Sequence, residues 1–280
     1  MARQIPPFKN DALVYKRIVV KAGTNVLTQG GSDLNRAAMD SLVDQIAKAW
    51  SEGIEILLVT SGAIAAGREV EPNISEGKSI GASQMLAAIG QSRLMHAYQE
   101  LFSKRGITVA QALLTAQDVD DQIGYQNVRN TLVGLLERRI IPIVNENDVV
   151  DTAEINNQRF GDNDVLSAIV AKIVSADLLL LLTDTEGLFT SDPKRNQQAK
   201  LISKVEIIDE SIMSLAEEHS SHISRGGMIS KLESARYATD AGVAVIVAPG
   251  NLKNVIQISA FGSQVGTLFT AKVDYGGKNG

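Results

Sequence analysis

The 280-residue chain is long enough for one large α/β domain or two small ones, and its 44% hydrophobic and 21% charged content is that of a globular protein with a sizeable core. A formal net charge of -5 leaves no basic footprint for nucleic acid, and the absence of cysteine excludes disulfides, thiolate metal sites and cysteine nucleophiles. Three histidines argue against a His-rich zinc site, and no segment reads as an export signal or a membrane span, so a cytoplasmic location is the default expectation.

Residues 1–14 read as a loose tail. Arg17 to Val20 is a first strand, ending at Lys21. Leu34 to Ser51 has helical spacing, with Leu42, Val43, Ile46, Ala47 and Trp50 on one stripe. Ile54 to Thr60 is a second strand and Ser83 to Ser103 a long helix, followed by a strand at Ile107 to Leu113. Val128 to Arg138 reads as a helix leading into the strand Ile140 to Val144. The second half opens with a helix at Asn163 to Ser175. The strand Asp177 to Leu182 is continuous in leucine and so reads as buried on both faces. A helix at Gly227 to Gly242, a strand at Val243 to Ala248 and a short strand at Gly266 to Phe269 complete the pattern, and 271–280 is a second tail. Strands alternating with helices predict a parallel sheet with crossover helices in a single domain over 15–270, with two functional halves.

Between Asn145 and Asp164 the chain places six carboxylates against one basic residue. They include two near-rhyming motifs, Asn145-Glu146-Asn147-Asp148 and Gly161-Asp162-Asn163-Asp164, the first at the tip of a buried strand. One such motif is explained as well by a solvated acidic loop as by a ligand cradle. Two, with Asn and Asp in alternation, favour a cradle for a small polar ligand.

Four turns carry further chemistry. Lys21-Ala22-Gly23-Thr24-Asn25 puts a cation and a close-approach glycine at the end of the first strand. Thr60-Ser61-Gly62-Ala63 opens a small-residue helix whose N–H groups suit an anion, although close helix–sheet packing explains the small residues equally. Thr183-Asp184-Thr185-Glu186-Gly187 follows the leucine strand. Ser224-Arg225-Gly226-Gly227-Met228-Ile229-Ser230-Lys231 brings paired glycines, a helix start and an ammonium together, where a flexible loop before a solvated helix is the plainer alternative. The spacing is not that of a P-loop, and no GxGxxG follows the first strand. Each turn alone is weak evidence; four in one α/β chain are much stronger.

Taken together, these residues resemble the amino acid kinase family from about Ile18 to Phe269. The resemblance is carried by Val20 to Thr24, Val59 to Glu69 (VTSGAIAAGRE), NEND at 145–148, GDND at 161–164, Leu182 to Asp184 and GGMISK at 226–231. VTSGAIAAGRE with NEND and GDND is specific to the branch that phosphorylates the side-chain carboxylate of glutamate. The resemblance implies a three-layer αβα sandwich around a mainly parallel sheet of about eight strands. Its N-terminal half would bind L-glutamate and its C-terminal half ATP with Mg²⁺, yielding γ-glutamyl phosphate, the opening step of proline synthesis. Lys21 and Lys231 match the lysines that stabilise the transferring phosphoryl group, and Asp164 matches the carboxylate that organises them. Ser61, Asp148 and Asn163 match glutamate-binding positions. Lys21, Thr183, Asp184, Arg225, Gly226, Gly227, Met228, Ile229, Ser230 and Lys231 match nucleotide-binding ones. Glu146 and Asp162 acquire no role.

Many relatives have Gly-Thr where this chain has Ser224-Arg225. Many bacterial ones also continue into an RNA-binding-like PUA module, whose properties do not carry over. The resemblance further implies homo-oligomerisation, with the Ser83 to Ser103 helix as an interface element. Feedback inhibition by proline, with the loop Thr115 to Tyr125 as a gate, and a downstream glutamyl phosphate reductase belong to the same expectation. Other enzymes of the family (acetylglutamate kinase, aspartokinase, a uridylate kinase) and a non-catalytic glutamate or proline sensor are the competing readings.

Overall fold

The strand at Arg17–Ala22 (β1) lies inside the sheet, and its alternation builds a core on each face. The computed structural model describes residues 12–74, 80–115, 117–150, 163–193, 195–217 and 227–272. Most of both tails, together with Gly161, Asp162, Ser224, Arg225 and Gly226, lies outside the described residues.

In chain order β1 is followed by α1 (Thr24–Thr28), α2 (Arg36–Ser51), β2 (Glu55–Thr60), α3 (Ala63–Arg68) and α4 (Ile80–Ser103). Next come β3 (Val109–Leu114), α5 (Gln122–Glu137), β4 (Ile141–Glu146), α6 (Asn163–Ile173) and β5 (Leu178–Thr183). The chain continues with β6 (Lys204–Val205), α7 (Glu210–Glu217), α8 (Met228–Asp240), β7 (Ala244–Pro249), α9 (Val255–Ala260) and β8 (Thr267–Phe269). The eight strands form one sheet in the order β3-β4-β2-β1-β5-β7-β8-β6. Pairing is parallel from β3 to β7; β8 runs antiparallel to β7 and carries β6 parallel to itself.

Ile18, Val20 and Ala22 of β1, with Leu178, Leu180 and Leu182 of β5, face one layer with α2, α4 and α9, including Leu42, Ile46, Leu94, Tyr98 and Ile256. Val19, Leu179 and Leu181 face the other, with Val170 of α6 and Leu232 and Ala235 of α8. Every residue of β5 is buried, as its unbroken leucine run predicts. Each such leucine contributes about 1.5–3 kcal/mol through burial. The result is the expected αβα sandwich with an eight-stranded, mainly parallel sheet.

Several boundaries differ from the sequence reading. Helix α5 begins at Gln122 rather than Val128, because Asp121 accepts the N–H groups of Ile123 and Gly124 as a cap, both at 2.8 Å. Its first turn escapes an apolar-pattern search because Ile123 is 75% exposed. The Asp118 carboxylate accepts from Thr115 N–H and Oγ1, so two acids of the Thr115 to Tyr125 loop hold backbone ends. Leu13 and Val14, read as tail, are tied in: Leu13 packs on the first core and Val14 N–H donates to Ala260 O. No helix among the described residues is long and apolar enough to cross a membrane.

Candidate active site

Residues at the carboxyl edge of the parallel strands converge where the sheet order departs from chain order, between β1 and β5. Crevices form at such points, because the crossovers on either side diverge. Lys21 lies near the end of β1, and Asp164 and Lys231 occupy the first turns of α6 and α8. Lys21 Nζ sits 2.6 Å from Asp164 Oδ1, and Lys231 Nζ lies 3.0 Å from Oδ2. The carboxylate is fully buried and the two lysines are 5% and 7% exposed. Burial pushes the Asp164 carboxyl upward, but the charges and hydrogen bonds of Lys21 and Lys231 outweigh it and hold the group below its ordinary range. Two ammoniums on one carboxylate give these three side chains one surplus positive charge away from water, which suits a polyanion. A Cβ on Gly23 would come within 3.1 Å of Lys21 Nζ, so the glycine keeps the backbone beside this ammonium unobstructed.

On the β2 and β4 side of this trio is a set of polar groups. Asn163 Nδ2 donates to Ser61 Oγ at 3.0 Å and to Asn145 Oδ1 at 3.2 Å. Both amide protons are thereby used, and Asn163 Oδ1 is a buried acceptor with no hydrogen-bond partner among the described residues. The Ser61 oxygen accepts, leaving its own proton to donate. Asn145 donates to Gln91 Oε1 of α4 at 2.8 Å. Thr60 Oγ1 and the Tyr98 hydroxyl are 2.8 Å apart, and burial pushes that phenol far above its ordinary pKa, so it stays neutral. Asp148 is half-buried just beyond β4.

On the other side, Thr183 ends β5 and donates to Asp184 Oδ1 at 3.1 Å; Asn25 of α1 reaches Asp184 Oδ2 at 3.4 Å. Gly227 precedes α8 and, as a glycine, offers no side chain to cap it. Met228 and Ile229 pack partly against the second core, which leaves their backbone N–H groups as the part that could meet a ligand. Ser230 follows in the same turn. Arg225 and Gly226 lie outside the described residues.

The structure thus brings Lys21, Asp164 and Lys231 into contact, and joins Ser61 to Asn163. Motif reading missed Gln91, and missed Asn145 as the link between Gln91 and Asn163. The local signal was Gly90: a glycine inside a long helix marks a close approach. A Cβ there would run into the Ala63 carbonyl and the Gly67 N–H, and one on Gly67 into the Leu86 carbonyl.

A buried lysine–carboxylate–lysine trio beside a glycine-led helix start, in an αβα sandwich, has the parts of a phosphotransferase. The chain belongs to the amino acid kinase family, which it matches over residues 16–249. It is 50% identical over 255 residues to a glutamate 5-kinase of Dehalococcoides mccartyi, covering 91% of this chain and 68% of that one. A glutamate 5-kinase of Haemophilus influenzae is 47% identical over 256 residues, covering 91% and 69%. One of Shewanella pealeana is 49% identical over 257 residues, covering 92% and 68%. The UMP kinase of Bacillus anthracis superposes with a TM-score of 0.62 at 21% identity, covering 92% of this chain and 97% of that one, a likeness of fold.

Proposed function

We infer that the protein transfers the γ-phosphoryl group of ATP to the side-chain carboxylate of L-glutamate, giving γ-glutamyl phosphate and ADP. The substrate rests on the glutamate 5-kinase relatives at 47–50% identity. The chemistry rests on one observation, the buried Lys21–Asp164–Lys231 trio. The nucleophile has an ordinary pKa of about 4.3 and is ionised at neutral pH, so the reaction requires no general base. One carboxylate oxygen forms a bond to the γ-phosphorus while the bond to the β–γ bridging oxygen breaks, its electron pair leaving on ADP. The obstacle is an anion approaching a polyanion. Lys21 and Lys231 offset that repulsion, the N–H groups opening α8 receive phosphate oxygens, and Asp164 holds both ammoniums in place.

The acceptor groups match an α-amino acid. The Ser61 proton suits a carboxylate, and Asn163 Oδ1 and Asp148 suit an ammonium. Thr183 and Asp184 form the nucleotide side. Mg²⁺ is proposed to arrive with the ATP, carried on its phosphates. When bound it would neutralise part of the phosphate charge.

Proline is proposed to occupy the glutamate pocket as a feedback inhibitor. Assembly is proposed to be homo-oligomeric through α4, in the cytoplasm, with a reductase consuming the labile acyl phosphate. The test is a hydroxylamine-trapping assay run with ATP and glutamate, with and without proline. Glutamyl hydroxamate that depends on both substrates, and falls as proline displaces glutamate, is expected. Turnover of uridine monophosphate with no hydroxamate would overturn the reading.

A further inference from the structure

The amides at the acceptor end have a defined polarity, and it traces to a backbone group. Glu146 N–H can only donate, and it lies 2.9 Å from a side-chain atom of Asn145, which must therefore be the carbonyl oxygen. The other end of Asn145 is then its NH₂ group, so the Gln91 atom 2.8 Å away must be an oxygen. The Asn145 oxygen also lies 3.2 Å from the Asn163 side chain, which must present its NH₂ there, and the second proton of that NH₂ goes to Ser61 Oγ. Asn163 Oδ1 is consequently the end of the chain of amides, buried and without a partner among the described residues.

Asn145 is 2% exposed, so its NH₂ depends on Gln91 for an acceptor. Deprived of it, Asn145 must turn to satisfy that NH₂, and Asn163 loses the oxygen that holds its amide in place. Gln91 reaches Asn145 because the adjacent Gly90 lets α4 lie against α3. Two helical turns further on, and on the same face, Tyr98 holds Thr60 beside Ser61.

We propose that Gln91 is a positioning residue: through Asn145 it locks the Asn163 amide so that its carbonyl oxygen receives the substrate α-ammonium, making the pocket selective for an amino acid over the corresponding dicarboxylic acid. The proposal rests on the reading of Ser61 and Asn163 as the glutamate pocket.

Gln91→Met removes the acceptor at nearly constant volume, whereas Gln91→Glu keeps an acceptor oxygen. In the full chain, Gln91→Met should raise the KM for glutamate roughly tenfold, the loss of about one hydrogen bond. The KM for ATP should stay within about twofold, as should the inhibition constant of glutarate, which lacks the amine and so escapes this hydrogen bond. Gln91→Glu should keep the glutamate KM within about threefold of wild type. An unchanged glutamate KM in Gln91→Met overturns the proposal. Equal weakening of glutamate and glutarate, the mark of general damage to the pocket, overturns it too. Should Gln91→Met fail to fold, Gln91→Glu carries the test: a roughly tenfold loss in a protein that melts like wild type is equally fatal. A wild-type protein that makes no glutamate-dependent acyl phosphate would instead remove the substrate assignment, and this inference with it.

Discussion

Asp164 has no solvent exposure and an ammonium on each oxygen, so its charge is compensated by the fold rather than by water. Its two partners are not equivalent to remove. Lys231→Met leaves the carboxylate paired with Lys21, so the chain should fold and bind glutamate. Turnover should fall about 10²–10³-fold, as for loss of one charge-stabilising group; single-turnover rates within a few-fold of wild type would dismiss the role given to Lys231. Asp164→Asn removes the buried carboxylate that both ammoniums contact and should cost about 3–5 kcal/mol. The pH dependence follows from the lowered pKa of the carboxyl. The unfolded chain binds this proton more readily than the folded one. The stabilisation is therefore complete above roughly pH 4 and lost as pH falls through the folded value. Urea midpoints of the wild type should drop more steeply below about pH 4 than those of Asp164→Asn; parallel curves would contradict the assignment.

At the scale of elements, the tight crossing of α3 and α4 ties the acceptor residues to the scaffold. Gly90→Ala would force a methyl group into backbone of α3. It should cost about 1–3 kcal/mol and weaken glutamate more than ATP, measured by melting and by the two KM values. Gly134→Ala in α5 meets nothing nearer than the end of the Arg138 side chain at 3.5 Å, and should be neutral or stabilising by up to about 1 kcal/mol. If the two substitutions behave alike, the close crossing is not what matters. Most of the elements legible in the sequence are the longer ones, the three-residue β8 being an exception. Strands of six residues and helices of eleven or more carry a readable apolar period. The two-residue β6 and the five- and six-residue helices α1, α3 and α9 do not: only the first turn of α3 was anticipated, from its glycine and small residues. The site divides in the same way. Lys21, Asp164 and Lys231 are named by local motifs, whereas the Gln91–Asn145 link joins residues 54 positions apart and leaves no periodic trace.

For the whole molecule, β2, β4 and β3 lie on one side of β1 and β5 and β7 on the other, yet all belong to one continuous sheet. β1 and β5 pair along five residues, from Ile18–Leu178 to Ala22–Leu182, so the two halves of the chain share backbone hydrogen bonds. A single cooperative domain over 15–270 is the expectation. Trp50 is the sole tryptophan, lies in the N-terminal half and has the Arg139 guanidinium 3.7 Å from its ring centre, so its fluorescence reports that half alone. Urea transitions followed by Trp50 emission and by far-UV circular dichroism should coincide. Separated midpoints would mean that the halves unfold independently.

The spacing of the two cations has a source other than packing. Both ammoniums rest on the two oxygens of one side chain, and the span between those oxygens is set by covalent bonds. Thermal breathing of the sheet moves walls and helices, but the carboxylate acts as a gauge block of constant width between the charges. The two charges are thus referenced to one shared side chain rather than only to the strand and helix that carry them.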